Sequence, residues 1–210
     1  MIGEYPVVEH AVVEPVETPT DTMNILVVCT GNICRSPLAE KLLQSRLTAA
    51  GIPAVVTSAG TRAMVDHPMT DEAAFLVTQY GAEPTLHAAQ QLTADRIAAA
   101  DLVLTATREH RGEVVSLHPR AHRYAYTLNQ FARLVAESAV VELVETRTIT
   151  NFLSEINATK GLAFPPAHRD DDDIEDPYRR SAEVYDRVGQ IIDTAVTGIA
   201  TALATTTGRL

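Results

Sequence analysis

Two cysteines, no tryptophan and four phenylalanines are a sparse stock for 210 residues. Both thiols, Cys29 and Cys34, fall in one short stretch, so no disulfide framework can be built and the fold must rest on an apolar core. The length is ample for one domain with such a core. Positive charge is also scarce: 17 Lys and Arg stand against 27 Asp and Glu, a formal net charge of −10. That excludes a general nucleic-acid binder, although not a local basic pocket. No uninterrupted apolar run approaches the roughly 18 residues of a membrane span. Glu4, Glu9, Glu14 and Glu17 break up any leader pattern at the N-terminus. The expectation is a cytoplasmic protein with no membrane partner, in a reducing compartment that suits a free thiol. Metal-ligand spacing is missing too. Cys29 and Cys34 do not form Cys-x-x-Cys and the histidines are scattered, so neither a metal nor another cofactor is expected.

What is present is concentrated in Val27-Val28-Cys29-Thr30-Gly31-Asn32-Ile33-Cys34-Arg35-Ser36-Pro37. The β-branched, apolar run Asn24-Ile25-Leu26-Val27-Val28 predicts a buried strand leading into it. Ser36 as N-cap and Pro37 at the first helical position predict a helix leading out. A loop closing onto a helix N-terminus turns backbone N–H groups inward under the positive end of the helix dipole, which makes an anion site. Gly31 lets the chain turn without a Cβ, and Asn32 tolerates the left-handed region. The thiolate is the reactive form of cysteine, and at Cys29 the loop amides, the helix start and Arg35 all favour it. Arg35 offers a planar fork suited to two phosphate oxygens, and Ser36 can donate to the sulfur. A nucleophile beneath a cradle for a tetrahedral oxyanion is a phosphoryl-transfer constellation using covalent catalysis. Its phosphate-binding set is Thr30, Gly31, Asn32, Ile33, Cys34 and Arg35.

The rest of the chain alternates strand and helix signals. Residues 1–22 carry four Glu and three Pro with little periodicity and read as a flexible tail, with Met23 as an alternative start before the first strand. The domain proper is 23–210. After the strand at 24–29 come a helix of about 37–50 ended by Gly51, a strand at 54–57, a helix capped by Thr70 and ended by Gly81, and a short helix capped by Thr93. Then follow a strand at 102–104, a helix capped by Thr107, a strand at 124–126 and a helix capped by Thr127. This alternation implies an α/β fold, a mostly parallel sheet with helices on both faces, whose ligands bind at the C-terminal strand ends where Cys29 sits. Residues 138–173 interrupt the pattern and read as an insertion over the surface, partly helical near 147–158. They end in the acidic run Asp170 to Asp173, taken as a spacer without chemistry. Within them Val140-Val141-Glu142-Leu143-Val144-Glu145-Thr146 repeats Val12-Val13-Glu14-Pro15-Val16-Glu17-Thr18 at six of seven positions, too short for a solenoid unit. From Ser181 a long helix runs to about Leu203, with Val184, Val188, Ile191, Ile192, Ala195, Ile199 and Leu203 on one face.

Cys29-Thr30-Gly31-Asn32-Ile33-Cys34-Arg35-Ser36-Pro37 after an apolar strand resembles the signature loop of the low-molecular-weight protein tyrosine phosphatases. Ser58-Ala59-Gly60-Thr61, His87-Ala88-Ala89-Gln90-Gln91-Leu92-Thr93 and Asp176-Pro177-Tyr178 before the last helix extend the resemblance over most of 23–204. It implies an open four-stranded parallel sheet with the phosphate-binding loop after the first strand. It also implies a phosphotyrosine protein as substrate, attacked by Cys29 to give a phosphocysteine. By spacing alone Asp176 is an ordinary aspartate at a helix start; the resemblance makes it the general acid that protonates the leaving oxygen. His87, by itself a satisfied structural histidine, is placed by the resemblance beneath the loop, supporting the network from Asn32 to Ser36. The resemblance also implies that Cys34 pairs with Cys29 when the latter is oxidised.

The pocket walls depart from the family pattern. Where eukaryotic members place an aromatic after the second strand, alignment puts Met64; after Asp-Pro, only Tyr178 of the usual two aromatics remains, followed by Arg179. The substrate wall is therefore assigned to Met64 and Tyr178, with a weaker stacking surface than a phosphotyrosine ring ordinarily meets. Several readings compete with phosphotyrosine hydrolysis. Arsenate reduction on a related scaffold needs further cysteines, and none exists beyond Cys34. Phosphoarginine hydrolysis goes with Thr after the loop Asn, where this chain has Ile33. A non-catalytic phosphate-binding module and a phosphocysteine carrier remain as alternatives of other classes.

Overall fold

The computed structural model describes residues 22–84, 86–138, 148–161 and 166–206. The tail at 1–21, Thr85, the second copy of the repeated segment with its surroundings at 139–147, residues 162–165 and the last four residues lie outside the described set.

Four parallel strands form one sheet in the order β2-β1-β3-β4, with β1 at Met23–Cys29, β2 at Ala54–Gly60, β3 at Leu102–Thr105 and β4 at Ala125–Thr127. The helices are α1 (Arg35–Ala49), α2 (Asp71–Gln79), α3 (Ala94–Ala98), α4 (Arg108–Leu117), α5 (Leu128–Ser138), α6 (Ile149–Thr159) and α7 (Ala182–Thr206). Alternation of side chains along the strands divides the core in two. Ile25, Val27, Leu102, Leu104 and Tyr126 pack with α1, α2 and α5–α7, whereas Leu26, Val28, Val103 and Ala125 pack with α3 and α4. Because both faces are covered, the two inner strands are apolar over Ile25–Cys29 and Leu102–Leu104, which is why they read as continuous runs rather than alternating ones.

The expected caps at Thr70, Thr93 and Thr107 accept backbone N–H groups of Ala73, Arg96 and His110, and Thr127 accepts that of Gln130. One cap is corrected. α1 begins at Arg35, with Cys34 as its N-cap and no side-chain cap, so Ser36 lies inside the first turn and its hydroxyl serves the loop instead. β2 runs three residues further than expected, because its C-terminal half pairs with Val27–Cys29 and delivers Gly60 against the loop.

The segment at 138–173 is not purely a surface insertion. α6 buries Phe152 and Ile156 in the larger core. Lys160 just beyond it donates to the His122 and Ala125 carbonyls and sits 3.9 Å from the Tyr126 ring centroid. α7 is the long helix expected from Ser181 onward. At 25 residues with a mean hydropathy of 1.2 it is long and apolar enough to cross a membrane. Asp186, Arg187 and Asp193 punctuate it, and its apolar stripe of Val188, Ile192, Ala195, Ile199 and Leu203 is buried in the core.

Candidate active site

The loop between β1 and α1 is built by surrendering its carbonyls. Cys29 O accepts from Thr61 N, Thr30 O from Arg62 N, Gly31 O from Met64 N, Asn32 O from His87 Nε2 and Ile33 O from Thr70 N, at 2.7–3.0 Å. A trans peptide sets its N–H opposite its C=O, so with these five carbonyls tied to outer segments the amides of Thr30 to Cys34 face the loop interior. The sequence predicted an anion nest from composition; the outer bonds are what turn every peptide the same way. Gly60 makes the close approach. A Cβ there would stand 2.4 Å from Thr30 O and 3.0 Å from Asn32 N.

Asn32 is fully buried at φ 56°, a left-handed conformation that asparagine tolerates. Both of its amide protons and its carbonyl oxygen are engaged: Nδ2 donates to Ser36 Oγ at 2.9 Å and to Ser58 Oγ at 2.8 Å, while Oδ1 accepts from Gln90 N at 2.7 Å. Ser58 in turn donates to Glu40 Oε2 at 2.5 Å. Ser36 Oγ accepts from Asn32 and lies 3.0 Å from Cys29 Sγ; when Cys29 is the thiolate, which has no proton to give, the Ser36 O–H is the donor in that contact. A chain of donors thus ends on the sulfur and stabilises its anion. His87 contributes as a support, through the Asn32 carbonyl rather than a side chain.

Arg35 is 5% exposed. NH1 donates to Ile174 O at 3.0 Å, and NH2 pairs with Asp176 Oδ2 at 2.8 Å and reaches Thr30 Oγ1 at 3.4 Å. Its Nε is buried without a hydrogen-bond partner. A buried, unsatisfied guanidinium donor is costly unless an anion completes it. Asp176, with a half-exposed side chain, is held in a short turn by Tyr178 N at 3.1 Å. Cys29, Arg35 and Asp176, assigned as the catalytic set from sequence, therefore converge through the loop and one ion pair.

The other assigned residues divide. Cys34 Sγ lies behind the loop, 3.4 Å from Tyr185 OH and 3.7 Å from Thr70 Oγ1, and burial pushes its thiol up, only partly offset by those hydroxyls. Ile33 is buried in the larger core, so it offers its amide rather than its side chain. Met64 packs beside Gly31. Tyr178 is 38% exposed with the Arg179 guanidinium 5.1 Å from its ring centroid. A cleft of about 530 Å³ opens beside Arg35. Thr30, Thr107, His110 and Asp176 are in its walls, and neither Met64 nor Tyr178 is. The β3–α4 turn flanks this cleft, and Met64 lies outside its walls, beside Gly31. Among the described residues no three His, Cys, Asp or Glu side chains converge to hold a metal ion.

Sequence reasoning did not single out His110. It is buried, with Nδ1 2.7 Å from Thr107 Oγ1 and Nε2 2.8 Å from Thr30 Oγ1. In the tautomer protonated at Nε2, Nδ1 accepts from the Thr107 hydroxyl and Nε2–H donates to Thr30 Oγ1. The Thr30 hydroxyl is then free to donate into the cleft. Burial, then the charge of Arg35, lowers His110 to about 4 and keeps it neutral. The spacing Thr107-x-x-His110 at a cap was the available signal, but nothing local points it at Thr30.

A sequence model of low molecular weight phosphotyrosine protein phosphatase matches residues 24–142, more than half of the chain. The low molecular weight protein-tyrosine-phosphatase Etp of Escherichia coli K12 is 43% identical over 97 residues, covering 46% of this chain and 62% of Etp, so this match spans less than two thirds of that relative. The low molecular weight protein-tyrosine phosphatase A of Mycobacterium tuberculosis is 30% identical over 182 residues, covering 86% of this chain and 91% of that one. Among solved structures, the YwlE arginine phosphatase of Geobacillus stearothermophilus superposes with a TM-score of 0.62 at 27% identity, over 86% of this chain and 92% of that chain. The loop, the sheet that carries it and these matches agree, and the chain belongs to the low molecular weight phosphotyrosine protein phosphatase family.

Proposed function

We propose that the protein hydrolyses phosphotyrosine in protein substrates through a phosphocysteine intermediate. The observation that carries this reading is the pairing of Cys29, 3.0 Å from Ser36 Oγ, with a loop whose carbonyls are tied outward and an Arg35 Nε without a partner. The thiolate of Cys29 attacks phosphorus as the bond to the phenolic oxygen breaks. Asp176, entering as the carboxylic acid, gives its proton to that oxygen. The loop amides of Thr30 to Arg35, the guanidinium and the Thr30 hydroxyl hold the equatorial oxygens, supplying the positive field of the transition state. Asp176, now a carboxylate, takes a proton from the water that displaces the sulfur, and phosphate leaves as the thiolate is regenerated. Ser36 stabilises sulfur as leaving group in this second step.

Names of the sequence relatives favour phosphotyrosine; the YwlE likeness raises phosphoarginine as the second reading. Ile33 in place of the Thr that goes with phosphoarginine favours the first. A reducing cytoplasm suits a mechanism that depends on a free thiolate. The test is a panel of phosphotyrosine, phosphoserine and phosphoarginine peptides with the parent and Cys29→Ser. Phosphate release confined to phosphotyrosine and lost in Cys29→Ser is the expected result. Release from phosphoarginine alone overturns the substrate, and binding without turnover reduces the protein to a phosphate-binding module.

A further inference from the structure

The acidic run Asp170 to Asp173 is attached at every step. Arg108, the first residue of α4, donates through Nε to both Asp173 oxygens at 3.1 Å and through NH2 to Asp173 Oδ2 at 2.7 Å. The same NH2 reaches Asp170 Oδ1 at 2.7 Å. The Arg108 backbone N–H donates to Asp173 Oδ1 at 2.7 Å, so this carboxylate also satisfies a free amide at the positive end of α4. On the other side Arg133 of α5 donates to Asp172 at 3.1 and 3.3 Å, and Asn129 Nδ2 to Asp171 O at 3.0 Å. Immediately after the run, Ile174 N donates to Ala106 O at 2.8 Å and Ile174 O accepts from Arg35. Asp176 follows two residues later.

We propose that Arg108 and Asp173 are positioning residues for the acid step: they clamp the segment carrying Asp176 to the start of α4 and so set where its carboxyl stands over the loop. Arg108 touches neither the loop nor the cleft's phosphate donors, and the bidentate fork fixes direction as well as distance. Upstream of Asp176 the nearest anchors are the Asp173 carboxylate on the start of α4 and the Ile174 backbone on Ala106, just past β3, and on Arg35; Glu175, between Ile174 and Asp176, pairs with Arg187 at 2.7 Å, and Asp176 itself with Arg35. The Asp173 clamp is the anchor nearest the acid on its N-terminal side that fixes a side chain to α4, so its loss shifts the register at which Asp176 enters the site. Anion binding at Cys29 and Arg35 is not weakened by that shift, but proton delivery is.

This inference rests on Asp176 being the general acid, and the experiment separates the two. Parent, Arg108→Met, Arg108→Lys, Asp173→Asn and Asp176→Asn are compared on phenyl phosphate, a poor leaving group, and 4-nitrophenyl phosphate, a better one, with inorganic phosphate as competitive inhibitor. Proton donation is worth about 10²–10⁴-fold. Misplacing the acid is expected to slow kcat on phenyl phosphate at least about tenfold in Arg108→Met, but under about threefold on 4-nitrophenyl phosphate. Phosphate inhibition should not weaken, and should tighten by no more than the about fivefold expected of Asp176→Asn, and Arg108→Lys should recover part of the loss. Asp173→Asn, which keeps an acceptor for the Arg108 N–H, gives the same graded loss and substitutes if Arg108→Met does not fold. Equal slowing on both substrates, or none, with Asp176→Asn itself graded, overturns the clamp alone. An ungraded Asp176→Asn overturns the acid assignment and the clamp with it.

Discussion

His110 is expected to make the protein's stability fall between pH 6.5 and pH 4. Its folded pKa is about 4 against an ordinary 6.5, because burial and then the Arg35 charge disfavour the imidazolium. The unfolded chain therefore binds a proton more readily than the folded one in this window. Stability is intact above 6.5, is lost progressively as pH falls, and the loss levels off below about 4. Between 6.5 and 4, at about 1.36 kcal/mol per unit, the loss is about 3 kcal/mol at pH 4. For a chain of this size that corresponds to a melting midpoint lower by roughly 6–12 °C. Asp173, whose carboxyl is held below its ordinary 3.8 although burial alone would raise it, because Arg108 more than offsets that, acts in a lower window. Its contribution is present above 3.8 and is lost only as pH falls further. His110→Gln retains a donor toward Thr30 and removes the titrating ring. At pH 7 the variant is less stable, by about 1 kcal/mol for each hydrogen bond weakened. By pH 4 the difference is expected to vanish or reverse. The assay is denaturant unfolding of both proteins at half-unit steps from pH 4 to pH 8. Parallel stability curves through this window would refute the reasoning, and with it the neutral His110 between Thr107 and Thr30.

Asp176→Asn removes the carboxylate that pairs with Arg35 NH2 in the unliganded site; inorganic phosphate should then bind more tightly, by up to about fivefold given the modest worth of an exposed pair, as read by competitive inhibition. Gly60→Ala places a methyl 2.4 Å from Thr30 O, a backbone atom that cannot step aside. It is expected to cost about 1–3 kcal/mol of stability and to weaken phosphate binding, whereas an unchanged midpoint would mean that the loop is less tightly seated. Cys34→Ser should hydrolyse aryl phosphates within about tenfold of the parent, under ~1.4 kcal/mol of barrier. After a peroxide pulse the parent should regain activity with a dithiol and the variant should not, since the sulfenic acid at Cys29 lacks a thiol to trap it; equal recovery returns Cys34 to a packing role against Tyr185.

Much of the fold was legible because its determinants are local. Thr70, Thr93, Thr107 and Thr127 cap helices with their own hydroxyls three residues ahead, and a cap is decided by neighbours in the chain. The strands at 23–29 and 102–105 carry the apolar runs Ile25–Cys29 and Leu102–Leu104 because both faces are covered there. The loop's chemistry, a thiol ahead of an arginine at a helix start, is likewise contained in one stretch. Ser36 shows where local reasoning fails: its type and place suit a cap, yet the hydroxyl is taken by Asn32 and Cys29, and Asn32 is turned toward it by Ser58 and Gln90, 26 and 58 residues away. The acidic run shows the same failure at longer range. Four consecutive carboxylates in isolation repel one another and read as a solvated spacer. They become a strap only because folding brings up Arg108, 65 residues from Asp173, and Arg133, 39 residues from Asp172. Which carboxylate meets which arginine depends on the path of the backbone between them, and no propensity or spacing within the run carries that information.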